Sequence, residues 1–140
     1  MSNRKGATED KGNLVRVKSR DDVALTTIVK ICNKYDLNLD ITLLVNGKIV
    51  TGTITSGKNF TDAVTEIIEQ KNQDKNGEYL ANVYRTIGSL FNEYLKDDHI
   101  PEVIHLKDAT IFDGTITHKV GWWRGLLRSV DGHSIGATIR

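Results

Sequence analysis

Along residues 39–54 apolar and polar side chains alternate with a single slip. Leu39, Ile41, Leu43 and Val45 are interleaved with Asp40 and Thr42, Leu44 alone falls out of step, and Asn46-Gly47 follows. The β-branched run Lys48-Ile49-Val50-Thr51-Gly52-Thr53-Ile54 comes next. Alternation sends successive side chains to opposite faces of a strand. Asn-Gly supplies the two positive φ angles of a two-residue type I′ turn. The pattern predicts a β-hairpin in which Leu43 faces Val50 and Leu39 faces Ile54 on one apolar side, with Thr42, Thr51, Thr53 and Thr55 on the other.

The period changes on either side of this hairpin. Before it, Val23, Leu25, Ile28, Val29, Cys32 and Tyr35 recur near helical spacing behind a capping pattern of Ser19 and Asp22, with Asn38 suited to the helix end. After it, Phe60, Ala63, Val64, Ile67 and Ile68 form one helical stripe, with Ser56 or Asn59 available as cap. A polar link over residues 73–77 separates that helix from a second stripe of Leu80, Val83, Tyr84, Ile87, Phe91, Tyr94 and Leu95, which ends near Asp97-Asp98-His99 and Pro101. The closing residues return to strand patterns: Val103-Ile104-His105-Leu106, then Thr110-Ile111-Phe112, then a turn or bulge at Asp113-Gly114. Residues 122–130 and 134–139 read as a further hairpin around Asp131-Gly132.

These elements predict a single α+β domain over residues 20–140: an antiparallel, barrel-like sheet of five or six strands, an N-terminal helix, and an inserted helical hairpin at about 58–97. Residues 1–19 hold Arg4, Lys5, Lys11, Arg16 and Lys18 with little to bury, and are expected to form a flexible basic arm, which Arg20 adjoins.

At 140 residues such a domain buries enough surface to fold without a metal or a disulfide. The net charge of +1 argues against a protein that holds nucleic acid or an anionic membrane by bulk charge. The single cysteine, Cys32, excludes an internal disulfide and a cysteine-based zinc site within one chain, and suits a reducing compartment. No apolar run approaches the ~20 residues of a spanning helix, and the polar start of the chain is unlike a secretory signal. A cytoplasmic protein is expected, with no membrane partner.

Catalysis needs converging acids, bases or nucleophiles. The candidates are His99, His105, His118 and His133 with Asp97, Asp98, Asp108, Asp113 and Asp131. Asp98-His99 falls at a helix end, where a histidine suits the last carbonyls. Asp113 and Asp131 fall at turns. His105 and Asp108 share a strand and its exit, where side chains need not converge. Ser56-Gly57-Lys58 has one glycine and lacks the spacing of a phosphate-binding loop, and Cys32 lies on an apolar helical stripe as a small hydrophobe. We therefore expect no catalytic residue, no metal site and no cofactor.

Binding is better represented. Trp122, Trp123, Arg124 and Arg128 combine residue types favoured at protein interfaces, and strand alternation sends one tryptophan into the core and the other outward. Leu44 and Ile49 sit opposite each other near the hairpin tip, on the threonine side, as a second candidate contact.

Three segments, in order, carry a family resemblance. They are the hairpin from Leu39 to Ile54, the stretch Ile104-His105-Leu106-Lys107-Asp108, and Trp123-Arg124-Gly125 followed by Val130-Asp131-Gly132 and Ile135-Gly136. Together they resemble the gas vesicle accessory protein U family. His133 departs from the aromatic residue expected after the turn. The resemblance implies a non-enzymatic accessory protein that acts on gas vesicle shells, or on their assembly or clustering. Its expected partners are gas vesicle shell proteins and, as a homo-oligomer, further copies of itself; its expected place is the cytoplasm, associated with gas vesicles. A helix followed by a bent Val-Asn-Gly-Lys-Ile-Val hairpin is also similar to the start of Sm-like small barrels, which bind single-stranded RNA. The near-neutral charge and the inserted helices weigh against that alternative.

Overall fold

Asp22 opens the first helix, α1 (Val23–Tyr35), by accepting the Ala24 and Leu25 N–H groups on Oδ1 at 3.0 and 3.1 Å. A carboxylate in extended backbone satisfies donors that the first helical turn leaves unpaired. The computed structural model describes residues 22–96 and 99–137, with side chains described outside 91–96, so the basic arm expected over 1–19 and the Ser19 cap lie outside the described residues. The helix stops at Tyr35, ahead of the Asn38 end that its sequence suggests. Asp36 adopts the left-handed conformation (φ 52°) and its N–H bonds the Cys32 carbonyl, which closes the last turn early.

The Asp22 carboxylate does a second job, because its Oδ2 lies 2.7 Å from Nδ1 of His133. One side chain thereby caps α1 and ties it to the last strand. Asp22→Ala is expected to lose about 1–2 kcal/mol in urea unfolding, whereas Asp22→Asn, which can still cap, recovers most of it. Equal stability of the alanine variant and the parent would refute this role.

The hairpin forms as its alternation and turn predict. Strand β1 (Leu39–Val45) pairs with β2 (Lys48–Thr55) with Leu39 opposite Ile54 and Leu43 opposite Val50. Asn46 (φ 51°) and Gly47 (φ 75°) supply the two left-handed positions of the turn. The segments expected as two strands after the helices are one, β3 (Val103–Asp113), interrupted by a bulge. Leu106 pairs with Trp123 and Ala109 with Gly121, so β3 carries an extra residue there, and Asp108 takes φ 52°. Strand β4 (Ile116–Leu126) returns antiparallel after the turn at Gly114.

The hairpin expected around Asp131-Gly132 is absent. A 3₁₀ turn (Leu127–Ser129) follows β4, held where the Leu127 N–H bonds the Glu102 carbonyl at 2.9 Å. The chain then crosses to the far edge, where β5 (Gly132–Ile135) pairs antiparallel with β1. The result is an open five-stranded antiparallel sheet in the order β4-β3-β2-β1-β5, with an N-terminal helix and two further helices. The barrel-like expectation holds only loosely, since β4 and β5 are separate edges and do not close on each other.

One face of this sheet packs on α1. Leu25, Val29 and Cys32 meet Ile41, Leu43, Val50, Ile54, Ile104, Leu106 and Ala109 in the buried core. Burial raises the Cys32 thiol pKa, as for a small hydrophobe removed from solvent.

The helical hairpin stands between β2 and β3. Helix α2 (Gly57–Lys71) is capped by the Ser56 hydroxyl, which accepts the Asn59 N–H at 3.1 Å. Helix α3 (Lys75–Lys96) begins behind Asp74, whose carboxylate accepts the Gly77 N–H at 3.0 Å. The face of α3 turned to α2 carries small residues: Gly77, Ala81 and Gly88 are all buried. A methyl group at Gly88 would stand 2.6 Å from Thr61 Oγ1, which shows how closely the two helices approach. The apolar stripe expected on α3 is therefore only partly the packed face. Tyr84 and Ile87 are half-buried, but Leu80 is 49% and Val83 41% exposed.

Candidate functional site

The second face of the sheet, opposite α1, gathers most of the residues with binding character. Along β2 it presents Ile49, Thr51, Thr53 and Thr55, and pairing adds Leu44 and Thr42 from β1, and Phe112, Thr110 and His105 from β3. Thr53 Oγ1 donates to Asp40 Oδ1 at 2.7 Å, and Thr42 Oγ1 to the Gly136 carbonyl at 2.7 Å. Thr42 and Thr53 thus have their hydroxyls hydrogen-bonded by neighbouring groups of the fold.

Two clusters mark its ends. At the hairpin tip, Leu44 (44% exposed) and Ile49 (38% exposed) stand directly opposite each other. Asp131 holds this tip, since its N–H bonds the Leu44 carbonyl at 2.8 Å and its Oδ2 accepts the Asn46 N–H at 3.1 Å. The aspartate that reads as a hairpin-turn residue instead anchors a different hairpin.

At the other end α2 covers the sheet. Phe60 lies with its ring 4.8 Å from His105 and 6.4 Å from Trp122, the latter edge-on at 71°. His105 is buried, and Arg124 Nε donates to its Nε2 at 3.1 Å. That bond leaves the imidazole proton on Nδ1. Burial, and secondarily the Arg124 charge, push the His105 pKa down to about 4, so the ring is neutral at ordinary pH.

Strand alternation places the two tryptophans on opposite faces, and both are half-buried, so neither ring is the outward one that the sequence suggests. Trp122 and Arg124 share the threonine face, whereas Trp123 sits opposite Leu106 and packs half-buried against the α1 core. The Trp123 indole lies over Gly125, where a methyl group would come within 2.3 Å of the ring. Arg128 is exposed on the 3₁₀ turn beyond β4. The structure therefore brings Leu44 and Ile49 to one end of a single face and Trp122 and Arg124 to the other, with Trp123 behind it.

The chemistry of this face suits contact. Asp108 sits exposed at the β3 bulge while His105 is buried against Arg124 and Phe60, so a His105–Asp108 pair does not assemble. Among the described residues no group of three or more His, Cys, Asp or Glu side chains is placed to hold a metal ion. No described helix is long and apolar enough to cross a membrane. The His105–Arg124–Phe60 cluster and the Asp22–His133 bond are not apparent in the sequence. The former depends on the β3–β4 register, which sets Arg124 opposite His105 and which only the structure gives.

Comparison with curated proteins and with solved structures gives no match. A family model described as gas vesicle protein GvpU-like matches residues 22–138, which spans α1, the whole sheet and the helical hairpin. The order of the three quoted segments and the fold that joins them fall within one matched stretch, and the chain belongs to the gas vesicle protein GvpU-like family.

Proposed function

We propose that this gas vesicle accessory protein binds gas vesicle shells or their subunits through the threonine face of its sheet, and so assists shell assembly or clustering without catalysing a reaction. The observation that carries this reading is the pair Leu44 and Ile49, two large aliphatic side chains exposed opposite each other at the end of a sheet face on which Thr42 and Thr53 have their hydroxyls hydrogen-bonded. Such a patch gains free energy by leaving water, at about 25 cal/mol per Å². Trp122 and Arg124 extend the same face toward α2 and add residue types common at interface centres. Trp123 supports the surface from the opposite side, and Arg128 adds a cation beyond the strand.

The test is co-flotation of the purified full chain with isolated gas vesicles, beside a single-stranded RNA control. Saturable vesicle binding is expected, with no RNA retention. Leu44→Thr combined with Ile49→Thr places strand-favouring β-branched side chains at both positions and should weaken vesicle binding by roughly tenfold, about 1.4 kcal/mol. Undiminished binding by this folded variant would remove the hairpin tip from the interface. RNA retention without flotation would overturn the shell reading in favour of the small-barrel RNA-binding alternative.

A further inference from the structure

The two edges of the sheet are finished differently. At one edge β5 is four residues long and is tied down by the His133–Asp22 contact and by the Gly136 N–H on the Asp40 carbonyl at 2.7 Å. At the other edge β4 runs for 11 residues and, among the described residues, pairs with β3 alone. An edge strand presents a row of backbone N–H and C=O groups with no ladder partner, a template for a further strand. β4 carries no proline, and residues 116–120 are all exposed, Ile116 at 57% and Val120 at 43%.

The charges along this edge are of one sign. Lys119 and Arg124 lie on β4 and Arg128 just beyond it, with no Asp or Glu anywhere in 114–130. Lys119 and Arg128 are exposed and form no ion pair among the described residues, while Asp113, at the end of β3, is already paired with Lys48 at 3.8 Å. A bulge sets the spacing of the two strand cations. Lys119 and Arg124 are five residues apart, which in a regular strand would turn them to opposite faces. Ala109 pairs with Gly121 but Thr110 with Lys119, so Val120 is an extra residue in β4 and restores both cations to one face. Lys119 stands in the row of Thr110 and Thr51, and Arg124 in the row of His105 and Thr55, so β4 takes five residues to cross what β2 crosses in four.

We propose that the β4 edge takes an extended acidic segment of a partner protein as a sixth strand, with carboxylates four residues apart set against Lys119 and Arg124. Main-chain hydrogen bonds along the edge hold such a strand, and its alternate side chains select it. Four residues of a regular strand span about 13 Å and return to the same face, which matches the two rows that carry the cations. Trp122 lies between them on that face, opposite the residue midway, where an aliphatic side chain fits. The charges also choose the occupant. A second copy of β4 would bring only cations to the junction, and β5 of a second copy has no carboxylate among its four residues. The lysine that repels a like strand attracts an acidic one.

The test uses the full chain and a fluorescein-labelled peptide, Val-Thr-Glu-Thr-Val-Thr-Glu-Thr-Val, whose glutamates and valines share one face. Fluorescence anisotropy at low salt should show saturable binding with a dissociation constant below roughly 100 μM. Lysine in place of both glutamates should abolish it. The amides of alternate residues lie along one edge of a strand. N-methylating one alternate set should therefore abolish binding, and N-methylating the other should spare it. Lys119→Glu should weaken binding by roughly tenfold or more, with a circular dichroism melt near that of the parent because Lys119 is exposed. Absence of saturable binding, equal affinity for the lysine peptide, or equal effects of the two methylations overturns the proposal. A chain that dimerises by itself and is dispersed by the peptide would assign the edge to a second copy, and would overturn the choice of occupant. No vesicles enter these measurements, so their outcome is separate from that of the shell-binding reading.

Discussion

Trp123→Ala is expected to remove about 3 kcal/mol of stability, and Trp122→Ala about half as much, although the two residues are neighbours on one strand. The difference follows from the faces they occupy. Trp123 is opposite Leu106 and packs its half-buried indole against the core formed by α1 and the sheet. Truncation there removes apolar area from the core rim and leaves a hollow over Gly125. Trp122 has an edge contact with Phe60 as its described ring partner, and such a contact contributes about 1 kcal/mol beyond area burial. Urea unfolding followed by far-ultraviolet circular dichroism would measure both. Gly125→Ala supplies an independent check. Its methyl group would collide with the Trp123 ring and should cost about 1–3 kcal/mol in the parent. In the Trp123→Ala background the same substitution should cost almost nothing, giving a non-additive cycle. Additive losses, or a Trp123→Ala variant as stable as the parent, would place the ring outside the core.

The tryptophan pair also illustrates what a sequence can and cannot say about this fold. That one ring faces each way follows from the period of two in a strand, but which one faces the core depends on the β3–β4 register, which carries two compensating irregularities, between Leu106 and Ala109 and between Ala109 and Thr110, that no local turn signal marks. The first hairpin was fully legible because its register is local: an Asn46-Gly47 turn of two residues leaves one alignment that keeps Leu39, Leu43, Val50 and Ile54 on the same side. The last strand was not legible, because its partner is β1, some ninety residues earlier, and local turn chemistry at Asp131-Gly132 resembles that of a hairpin. What diverts the chain is the bond from Leu127 to Glu102 and the anchoring of Asp131 on the β1–β2 tip, both of them tertiary. On α3 the helical period was legible, but periodicity ranks large side chains and overlooks glycine. Gly77, Ala81 and Gly88 take the packed face because their size allows the backbones to approach. The residues proposed for binding could be named from composition, but that Leu44, Ile49, Trp122 and Arg124 share one side of the sheet, and Trp123 does not, required the register of four strands.

Acid is expected to destabilise the protein by about 3 kcal/mol through His105 alone, over a window that the fold itself defines. The folded-state pKa is lowered from 6.5 to about 4, first by burial and then by the Arg124 charge. Above pH 6.5 the imidazole is neutral in both folded and unfolded chains and contributes no pH dependence. Between pH 6.5 and about 4 the unfolded chain takes up a proton that the folded chain refuses, so stability falls as pH falls, by about 1.4 kcal/mol per unit. Below about 4 the folded state also binds the proton and the loss levels off. Among the groups around the ring, Phe60 offers an aromatic surface, Thr55 is the cross-strand neighbour, and Arg124 donates to Nε2. Protonating that nitrogen would set imidazolium against guanidinium and break their bond. His105→Gln, which keeps an acceptor for Arg124 but does not titrate, should therefore flatten this part of the stability profile. Arg124→Gln should flatten it only slightly, because the larger cause, burial, remains. Chemical unfolding of the three proteins between pH 4 and 8 isolates the contribution, since carboxylates and the other histidines are common to all. A parent profile parallel to that of His105→Gln would mean that folding does not lower the His105 pKa, and would overturn this account.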